Sequence, residues 1–187
     1  MTETRKTAGR PRLAGDPSPQ EAIERIVRVD HAGEYGAKRI YAGQLSVLAK
    51  SEHGPVIAHM AEQEEKHLKY FADAIGDRGV RPTALLPLWH AAGFALGAAS
   101  ALMGPRAAMA CTVAVEEAID EHYQAQLDSL GIEEPALASA IAEFRAEELE
   151  HRDIGLAREA ELAPGYEVIS HLIKRGSKLA IWLSERI

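Results

Sequence analysis

Residues 61–68 read AEQEEKHL and hold three glutamates and one histidine. The apolar side chains on either side recur at helical spacing, from Ile57 to Phe71. Glu64 and His67 continue that apolar stripe, so we expect both to face the protein core although both are polar. Because they are three residues apart, they share one helix face and can reach one ion. The same spacing also occurs on solvated helix faces, so this motif alone is a weak signal.

A second copy of the E-x-x-H motif lies in the sequence EELEH, residues 147–151. Glu148 and His151 again continue an apolar stripe, here after Ile141 and Phe144. Two copies on core-facing stripes are much harder to explain as solvated surface than one copy. We expect Glu62 and Glu65 of the first motif to face solvent. Four glutamates of the two motifs leave the stripe: Glu62, Glu65, Glu147 and Glu150.

One further glutamate lies on the apolar stripe of the helix that precedes each motif. Glu34 comes 30 residues before Glu64, and Glu116 comes 32 residues before Glu148. A tyrosine follows each of these single glutamates by seven residues. The chain therefore reads as two similar helical hairpins joined by a long connection.

The hydrophobic pattern predicts helices and shows no alternating strand pattern. Four long helices separated by proline and glycine are typical of an all-α, ferritin-like four-helix bundle, here with a long crossover segment and an extra C-terminal amphipathic helix. The long helices are predicted at 20–50, 56–75, 105–130 and 136–163. We expect a disordered tail at 1–19 and one domain at 20–187, with the crossover at 76–104 and the amphipathic helix at 167–187.

Four carboxylates inside one bundle need compensating charge, because burying them unpaired is prohibitive. Two imidazoles cannot neutralise them, whereas two divalent metal ions can. One glutamate from each of two helices, with E-x-x-H from each of the other two, is the ligand pattern of dinuclear carboxylate bundles. The predicted metal ligands are Glu34, Glu64, His67, Glu116, Glu148 and His151.

The glutamates of the E-x-x-H motifs usually bridge the metals in such centres, so we assign Glu64 and Glu148 as bridges. An oxygen-rich ligand set with two histidines fits iron or manganese and disfavours structural zinc. The pattern leaves iron versus manganese open. The remaining ligands then complete one metal each: Glu34 with His67, and Glu116 with His151.

Three further polar residues lie near the predicted centre. Asp30, one turn before Glu34, is either an acceptor for a ligand imidazole or part of a local network. Tyr41 and Tyr123 donate hydrogen bonds near the metals, relay electrons, or are core tyrosines with satisfied hydroxyl groups. The other histidines have no partner at ligand spacing and are interpreted as surface or packing residues: His31, His53, His59, His90, His122 and His171.

Composition excludes several other classes of protein. The formal net charge of -7 argues against nucleic-acid binding through phosphate contacts. The single cysteine, Cys111, excludes a disulfide framework and an iron–sulfur cluster held by this chain alone, and we expect it to pack as a small hydrophobe. The polar N-terminal segment has no apolar stretch, which argues against a secretory signal, and Glu3 and Pro11 interrupt any basic amphipathic helix of a transit peptide. We therefore expect an intracellular chain.

Two segments suit contact with a membrane surface. Residues 85–104 carry no Asp, Glu, Lys or Arg, but they are barely long enough to span a bilayer and they contain Pro87. A buried crossing or interfacial segment is therefore favoured over a transmembrane helix. Trp89 in this segment and Trp182 in the basic C-terminal helix both suit an interface. The alternative is that both segments pack on the bundle or on a dimer partner.

The stretch RVDHAGEYGA, residues 28–37, and the KRIYAGQ that follows it resemble the demethoxyubiquinone hydroxylases of ubiquinone biosynthesis. The stretches EQEEKHL, VAVEEAI and EELEHRDIG resemble the same family. The likeness runs from about residue 22 to the C-terminus, and every predicted ligand matches one of the family's di-iron residues. The chain resembles a compact, bacterial-type member.

The resemblance implies a di-iron monooxygenase that uses O2 to hydroxylate a polyprenylated 6-methoxy-3-methyl-1,4-benzoquinol. Small residues near the site would leave space for the ring: Gly33, Gly36, Ala37 and Ala114. The resemblance links NADH to reduction of the centre, directly or through the quinone, although the chain has no G-x-G-x-x-G dinucleotide fingerprint. It also implies a peripheral membrane protein on the cytoplasmic face of the bacterial inner membrane. Beyond the quinol and the membrane, a homo-oligomer and a complex of ubiquinone-biosynthesis enzymes stay open as partners.

Two other functions are compatible with parts of the pattern. A ferritin- or rubrerythrin-like iron oxidase or peroxidase uses the same ligands without an organic substrate. A helical membrane adaptor would carry the same glutamates and histidines merely on its surface. The uncharged 85–104 segment and the lack of a rubredoxin domain favour the hydroxylase over the iron oxidase.

Overall fold

The computed structural model describes residues 17–130 and 134–187. Within these ranges the chain forms α-helices and one short 3-10 helix, Ala160–Leu162, and contains no strand. The predicted all-α class is confirmed. The helices are α1 (Pro19–Leu48), α2 (Gly54–Arg78), α3 (Leu86–Leu102), α4 (Pro105–Leu130), α5 (Pro135–Ala157) and α6 (Tyr166–Ser184).

Helix α1 begins where the sequence provides a capping box. The Ser18 hydroxyl accepts a hydrogen bond from the backbone N–H of Glu21 at 3.1 Å, and the Glu21 carboxylate accepts one from the backbone N–H of Ser18 at 2.6 Å. Pro19 follows as the first helical residue, where a missing N–H costs little. The predicted tail overlaps this cap at its end, and its first 16 residues lie outside the described part of the chain.

Helix α5 ends earlier than the sequence pattern predicts. It stops at Ala157 rather than near Ala163. Glu159 adopts a left-handed φ of 62°, which an α-helix cannot contain, and the next three residues form the 3-10 helix. The prediction was wrong here because the apolar spacing of this 3-10 segment imitates a further helical turn.

The four-helix bundle consists of α1, α2, α4 and α5. Helix α1 packs on α2, and α4 packs on α5, as expected for two hairpins. Helix α3, inside the predicted crossover, packs mainly on α1, and α6 packs on α4 and α1. Helices α1 and α4 therefore separate the interior of the bundle from an outer layer formed by α3 and α6.

Helices α1 and α3 touch backbone to backbone through glycine. A Cβ atom on Gly97 would overlap the carbonyl of Ile40, and one on Gly43 would overlap the carbonyl of Phe94. These positions accept no side chain, so the helices lie closer than ordinary packing allows. The uncharged segment is thus held against the bundle, and among the described residues no helix combines the length and apolar character that crossing a membrane requires.

The core around α4 is built largely from small side chains. Its residues 107–111 are at most 1% exposed. Cys111 is fully buried there, and burial raises the pKa of its thiol to about 12. Cys111 is therefore an inert packing residue, as predicted.

Candidate metal centre

The six predicted ligands all lie inside the bundle. Charged side chains are almost never this buried unless they are paired, so their burial itself requires a partner. They come from all four bundle helices, and each side chain is at most 1% exposed: Glu34 on α1, Glu64 and His67 on α2, Glu116 on α4, and Glu148 and His151 on α5.

These side chains form two overlapping groups, each with the ligand atoms within 4.8 Å of one another. The first group contains Glu34, Glu64, His67 and Glu148, and the second contains Glu64, Glu116, Glu148 and His151. Glu64 and Glu148 belong to both groups. The arrangement is what a pair of metals with two shared carboxylates would require.

Both ring systems present the same nitrogen to the centre. Nδ1 of His67 lies 3.1 Å from Oε1 of Glu148 and 3.4 Å from Oε2 of Glu34. Nδ1 of His151 lies 3.2 Å from Oε2 of Glu148 and 3.3 Å from Oε1 of Glu64. Glu148 thus lies between the two histidines, one oxygen facing each.

The carboxylates have more acceptor capacity than the protein satisfies. Oε2 of Glu34, Oε2 of Glu116 and both oxygens of Glu64 are buried and accept no hydrogen bond from the described residues. A buried oxygen atom without a hydrogen-bond donor destabilises the folded state unless it binds a cation. The donor set therefore fits two divalent metal ions.

Two tyrosines hold the outer carboxylates. The hydroxyl of Tyr41 donates to Oε1 of Glu116 at 2.8 Å, and the hydroxyl of Tyr123 donates to Oε1 of Glu34. Each tyrosine reaches across to the glutamate of the other hairpin. Of the roles open for these residues, the structure shows the hydrogen bond: one oxygen of each carboxylate is fixed and the other faces the centre.

Without metals, protons compensate the buried charge. Burial and the neighbouring carboxylates raise the pKa values of Glu64 and Glu116 well above the ordinary value. Burial opposes ionisation of Glu148, but hydrogen bonds from His151 and His67 outweigh it and hold the pKa of Glu148 at about 2. Burial likewise opposes the charge on His67, yet the hydrogen bond to Glu148 and the nearby carboxylate of Glu34 raise its pKa to about 12. Metal binding must displace these protons.

Two residues that contact the ligand histidines were not predicted. Nε2 of His67 donates to Oε2 of Glu147 at 2.6 Å, and Nε2 of His151 donates to Oε1 of Gln63 at 3.1 Å. Glu147 leaves the apolar stripe as predicted but is only 28% exposed. Glu62 and Glu65 are exposed as expected, and Glu150 is exposed too. Gln63 directly precedes Glu64, and Glu147 directly precedes Glu148. Their equivalent positions in the two motifs are the one sequence signal that relates them.

Asp30 belongs to a local network rather than to a ligand histidine. Its Oδ1 accepts from Nε2 of Gln126 at 2.7 Å and from Nε2 of His122 at 3.3 Å. Of the two interpretations of Asp30, the local network is therefore the one observed. His122 is only partly exposed and is tied to that network, which its interpretation as a surface or packing residue did not anticipate.

An apolar cavity of about 340 Å³ lies between the α1–α4 wall and the outer layer of α3 and α6. On the wall it is bordered by Gly33 and Val115, which directly precede Glu34 and Glu116 in the chain. Three of the four small residues expected near the site line it, whereas Ala114 is buried in the core instead. Trp89 also lines it and donates from Nε1 to Oγ of Ser184 at 3.0 Å, so its indole ring belongs to the cavity wall.

The chain matches the family model of the ubiquinone biosynthesis protein COQ7 over residues 21–184. It belongs to the COQ7 family. A 3-demethoxyubiquinol 3-hydroxylase of Rhodospirillum rubrum is 59% identical over 184 residues, which cover 98% of the chain and 86% of that relative. The NADPH-dependent 3-demethoxyubiquinone 3-hydroxylase, mitochondrial, of Homo sapiens is 53% identical over 190 residues, covering 98% of the chain and 88% of the human protein. The 5-demethoxyubiquinone hydroxylase, mitochondrial, of Saccharomyces cerevisiae is 44% identical over 182 residues, covering 88% and 78%.

Membership of the COQ7 family confirms the resemblance drawn from the sequence motifs. The chain is a hydroxylase of ubiquinone biosynthesis, and therefore an oxidoreductase. The buried glutamates and histidines suit metal binding in such an enzyme. The iron oxidase and the non-enzymatic adaptor, which parts of the pattern also allowed, are not the functions for which these relatives are named.

Proposed function

We propose that the chain uses O2 to hydroxylate a polyprenylated 6-methoxy-3-methyl-1,4-benzoquinol at a di-iron centre. The observation that carries this proposal is that two overlapping Glu/His groups lie on one side of α1 and an apolar cavity lies on the other. The names of the COQ7 relatives indicate the class of substrate. The ligands in this proposal are Glu34, Glu64, His67, Glu116, Glu148 and His151.

Each ligand has a position-specific role in this proposal. Glu64 and Glu148 would be shared between the metals, because each belongs to both groups. When bound, the irons supply the activation of O2 and the electrons for its reduction. Tyr123 and Tyr41 keep the outer carboxylates oriented by their hydrogen bonds, so that the ligand set is organised before the metals arrive.

The cavity is the proposed binding site for the quinol ring. Its volume is within the range of small-ligand pockets, and its walls are almost entirely apolar. The ring would approach the centre between α1 and α4, beside Gly33 and Ala37, where side chains are smallest. A long prenyl tail exceeds this volume and has to leave the cavity toward the layer of α3 and α6.

Filling the cavity should impair hydroxylation without affecting the metals. A Cβ atom on Gly36, which lines the cavity, meets no other atom within 4 Å. We expect Gly36→Leu to lower demethoxyquinol turnover about tenfold or more, since steric discrimination in apolar pockets has this size. Iron content should stay unchanged. Gly76→Leu is the matched control, because its Cβ is equally unhindered but Gly76 lies outside the cavity; equal activity in both variants would contradict the assignment of the cavity.

The substrate itself distinguishes this enzyme from an iron oxidase. Reduced, iron-loaded protein should consume O2 much faster with a demethoxyquinol than with ferrous iron alone, and should form the hydroxylated ring. An oxygen electrode with product analysis by mass spectrometry measures both quantities. Oxygen uptake that depends on ferrous iron and ignores the quinol would refute the proposed function.

Electrons for the centre are proposed to come from a reduced nicotinamide nucleotide. NADH is the donor implied by the sequence resemblance, whereas the name of the human relative specifies NADPH. Comparing turnover with each nucleotide in the presence and absence of a quinone identifies the donor. The comparison also shows whether the quinone carries the electrons to the iron.

The outer layer is proposed to dock on a membrane surface, at the cytoplasmic face of a bacterial inner membrane. Apolar side chains that are more than half exposed occur along both of its helices: Leu88, Leu102, Val168, Leu172, Leu179 and Trp182. Three of the four basic residues at the C-terminus are less available than the sequence suggests. Lys174 and Lys178 pair with Glu117 and Glu121 of α4, and Arg186 pairs with Glu185. Apolar insertion therefore dominates over attraction to anionic lipids in this proposal.

Charged substitutions in α6 should release the protein from lipid. We expect the double variant Leu172→Glu/Leu179→Glu to lose most co-sedimentation with zwitterionic phosphatidylcholine vesicles, because both side chains are exposed and apolar. Val47→Glu introduces one such charge at an exposed apolar position of α1 and should bind like the unmodified chain. If vesicle binding is unchanged but the apparent size of the protein falls, the apolar layer contacts a second copy or another enzyme instead.

A further inference from the structure

The histidines of the two metal groups are held from outside by different chemical groups. Both rings turn Nδ1 toward the centre, so with a metal at Nδ1 the ring proton would be on Nε2 and point outward. The acceptor for His67 is the carboxylate of Glu147 at 2.6 Å. The acceptor for His151 is the amide oxygen of Gln63 at 3.1 Å. The two acceptors occupy equivalent positions of the two hairpins and differ in charge.

The rest of the ligand shell is close to symmetric. Each metal group has one outer glutamate, one histidine and the same two shared carboxylates. Each outer glutamate also accepts one tyrosine hydroxyl. Four carboxylates balance two divalent ions, so the carboxylate of Glu147 adds a negative charge on the side of His67 alone. Within residues 17–130 and 134–187, the charged acceptor of a ligand N–H therefore lies on one side of the centre alone.

We propose that Glu147 and Gln63 are positioning residues that orient His67 and His151, and that their difference in charge makes the two metal positions inequivalent. A carboxylate that accepts a ligand N–H makes the imidazole a more basic metal ligand than an amide does. The metal at Glu34 and His67 is therefore bound more tightly and stays oxidised more readily than the metal at Glu116 and His151. This inference rests on the proposed di-iron centre.

Two isosteric substitutions test the inference in opposite directions. Glu147→Gln keeps an acceptor oxygen but removes the charge, and it should weaken Fe(II) binding at one of the two positions about tenfold. Gln63→Glu adds the charge at the other position and should strengthen binding there by a similar factor. Anaerobic titration with Fe(II) against a competing chelator measures both dissociation constants. Loss of packing alone would weaken binding in both variants, so opposite shifts are specific to charge.

Mössbauer spectra of the iron-loaded protein give a second readout that does not depend on activity. The unmodified diferric protein should show two distinct quadrupole doublets, and either single substitution should bring them together. Glu150→Gln, on the same helix but exposed, should leave the spectrum and the affinities unchanged. Affinities that shift in the same direction, or doublets that stay as far apart as in the unmodified protein, would overturn the inference. Failure of the unmodified chain to bind two irons would instead refute the proposed centre.

Discussion

Glu148→Ala is expected to abolish dinuclear iron binding and to leave a folded helical protein. Glu148 directs one oxygen at Nδ1 of His67 and the other at Nδ1 of His151, at 3.1 and 3.2 Å. Its removal therefore takes a ligand from both metal groups. After iron-replete expression, iron should fall from about two per chain to less than about one. Hydroxylation should fall by about a thousandfold or more, as when a central catalytic group is lost.

The fold should survive this change because the remaining charges can rearrange. Glu64 and Glu116 have raised pKa values in the metal-free protein, mainly through burial. Once Glu148 is absent, either carboxyl group can release its proton and pair with the histidines. Far-ultraviolet circular dichroism of Glu148→Ala should therefore retain the helical signal.

Comparison with an outer ligand makes the experiment more specific. Glu34 occurs in only one of the two metal groups, so Glu34→Ala should retain about one iron. Glu150→Ala removes an exposed glutamate two residues from Glu148 and should retain both. An unchanged iron content in Glu148→Ala, or the same loss in Glu34→Ala, would contradict the assignment of Glu148 as a shared ligand.

The buried cluster of glutamates and histidines was predictable from sequence because helical register determines which side chains face inward. Glu64 and His67 share the apolar stripe that begins at Ile57, while Glu62 and Glu65 lie on other faces. The same periodicity applies to all four bundle helices, so the six buried residues could be selected from the sequence alone. The bundle class follows from the same pattern.

The residues that accept hydrogen bonds from the ligand histidines could not be predicted from helical register. Glu147 and Gln63 leave the apolar stripe, and they reach the histidines only because α2 and α5 lie against each other. The early end of α5 depends on the backbone of Glu159, and no local signal in the sequence marks it. Contacts between hairpins and single backbone angles are set by tertiary packing, which the period of a single helix does not report.

Removing the metals should reverse the pH dependence of stability. In the metal-free protein, burial and neighbouring carboxylates raise the pKa values of Glu64 and Glu116. Burial opposes the charge on His67, but the hydrogen bond to Glu148 and the nearby carboxylate of Glu34 raise its pKa to about 12. A group with a raised folded-state pKa contributes stability that is lost as pH rises, because the folded state holds protons that the unfolded chain releases. The metal-free protein should therefore become less stable as pH rises from about 5 to 8.

The slope follows from the number of protons taken up on folding. Each proton contributes about 1.4 kcal/mol per pH unit, so the combined effect should be on the order of 1–3 kcal/mol per unit. The contribution of Glu148 to stability changes with pH in the opposite direction, because its folded-state pKa of about 2 lies below the ordinary value. That contribution is lost only as pH falls below about 4.5. Maximal stability of the metal-free protein should consequently lie near about pH 5.

With metals bound, the direction changes because protons compete for the same ligands. Metal binding needs ionised carboxylates and neutral histidines, so its affinity rises with pH and stabilises the folded state further. Denaturant titrations at pH 5, 6, 7 and 8 with a chelator or with excess Mn²⁺, which avoids oxidation, measure both curves. They should have opposite slopes, and adding Mn²⁺ to the metal-free protein at pH 7 should release protons that a pH-stat can count. Parallel slopes, or metal binding without proton release, would show that protons do not replace the metals in this bundle.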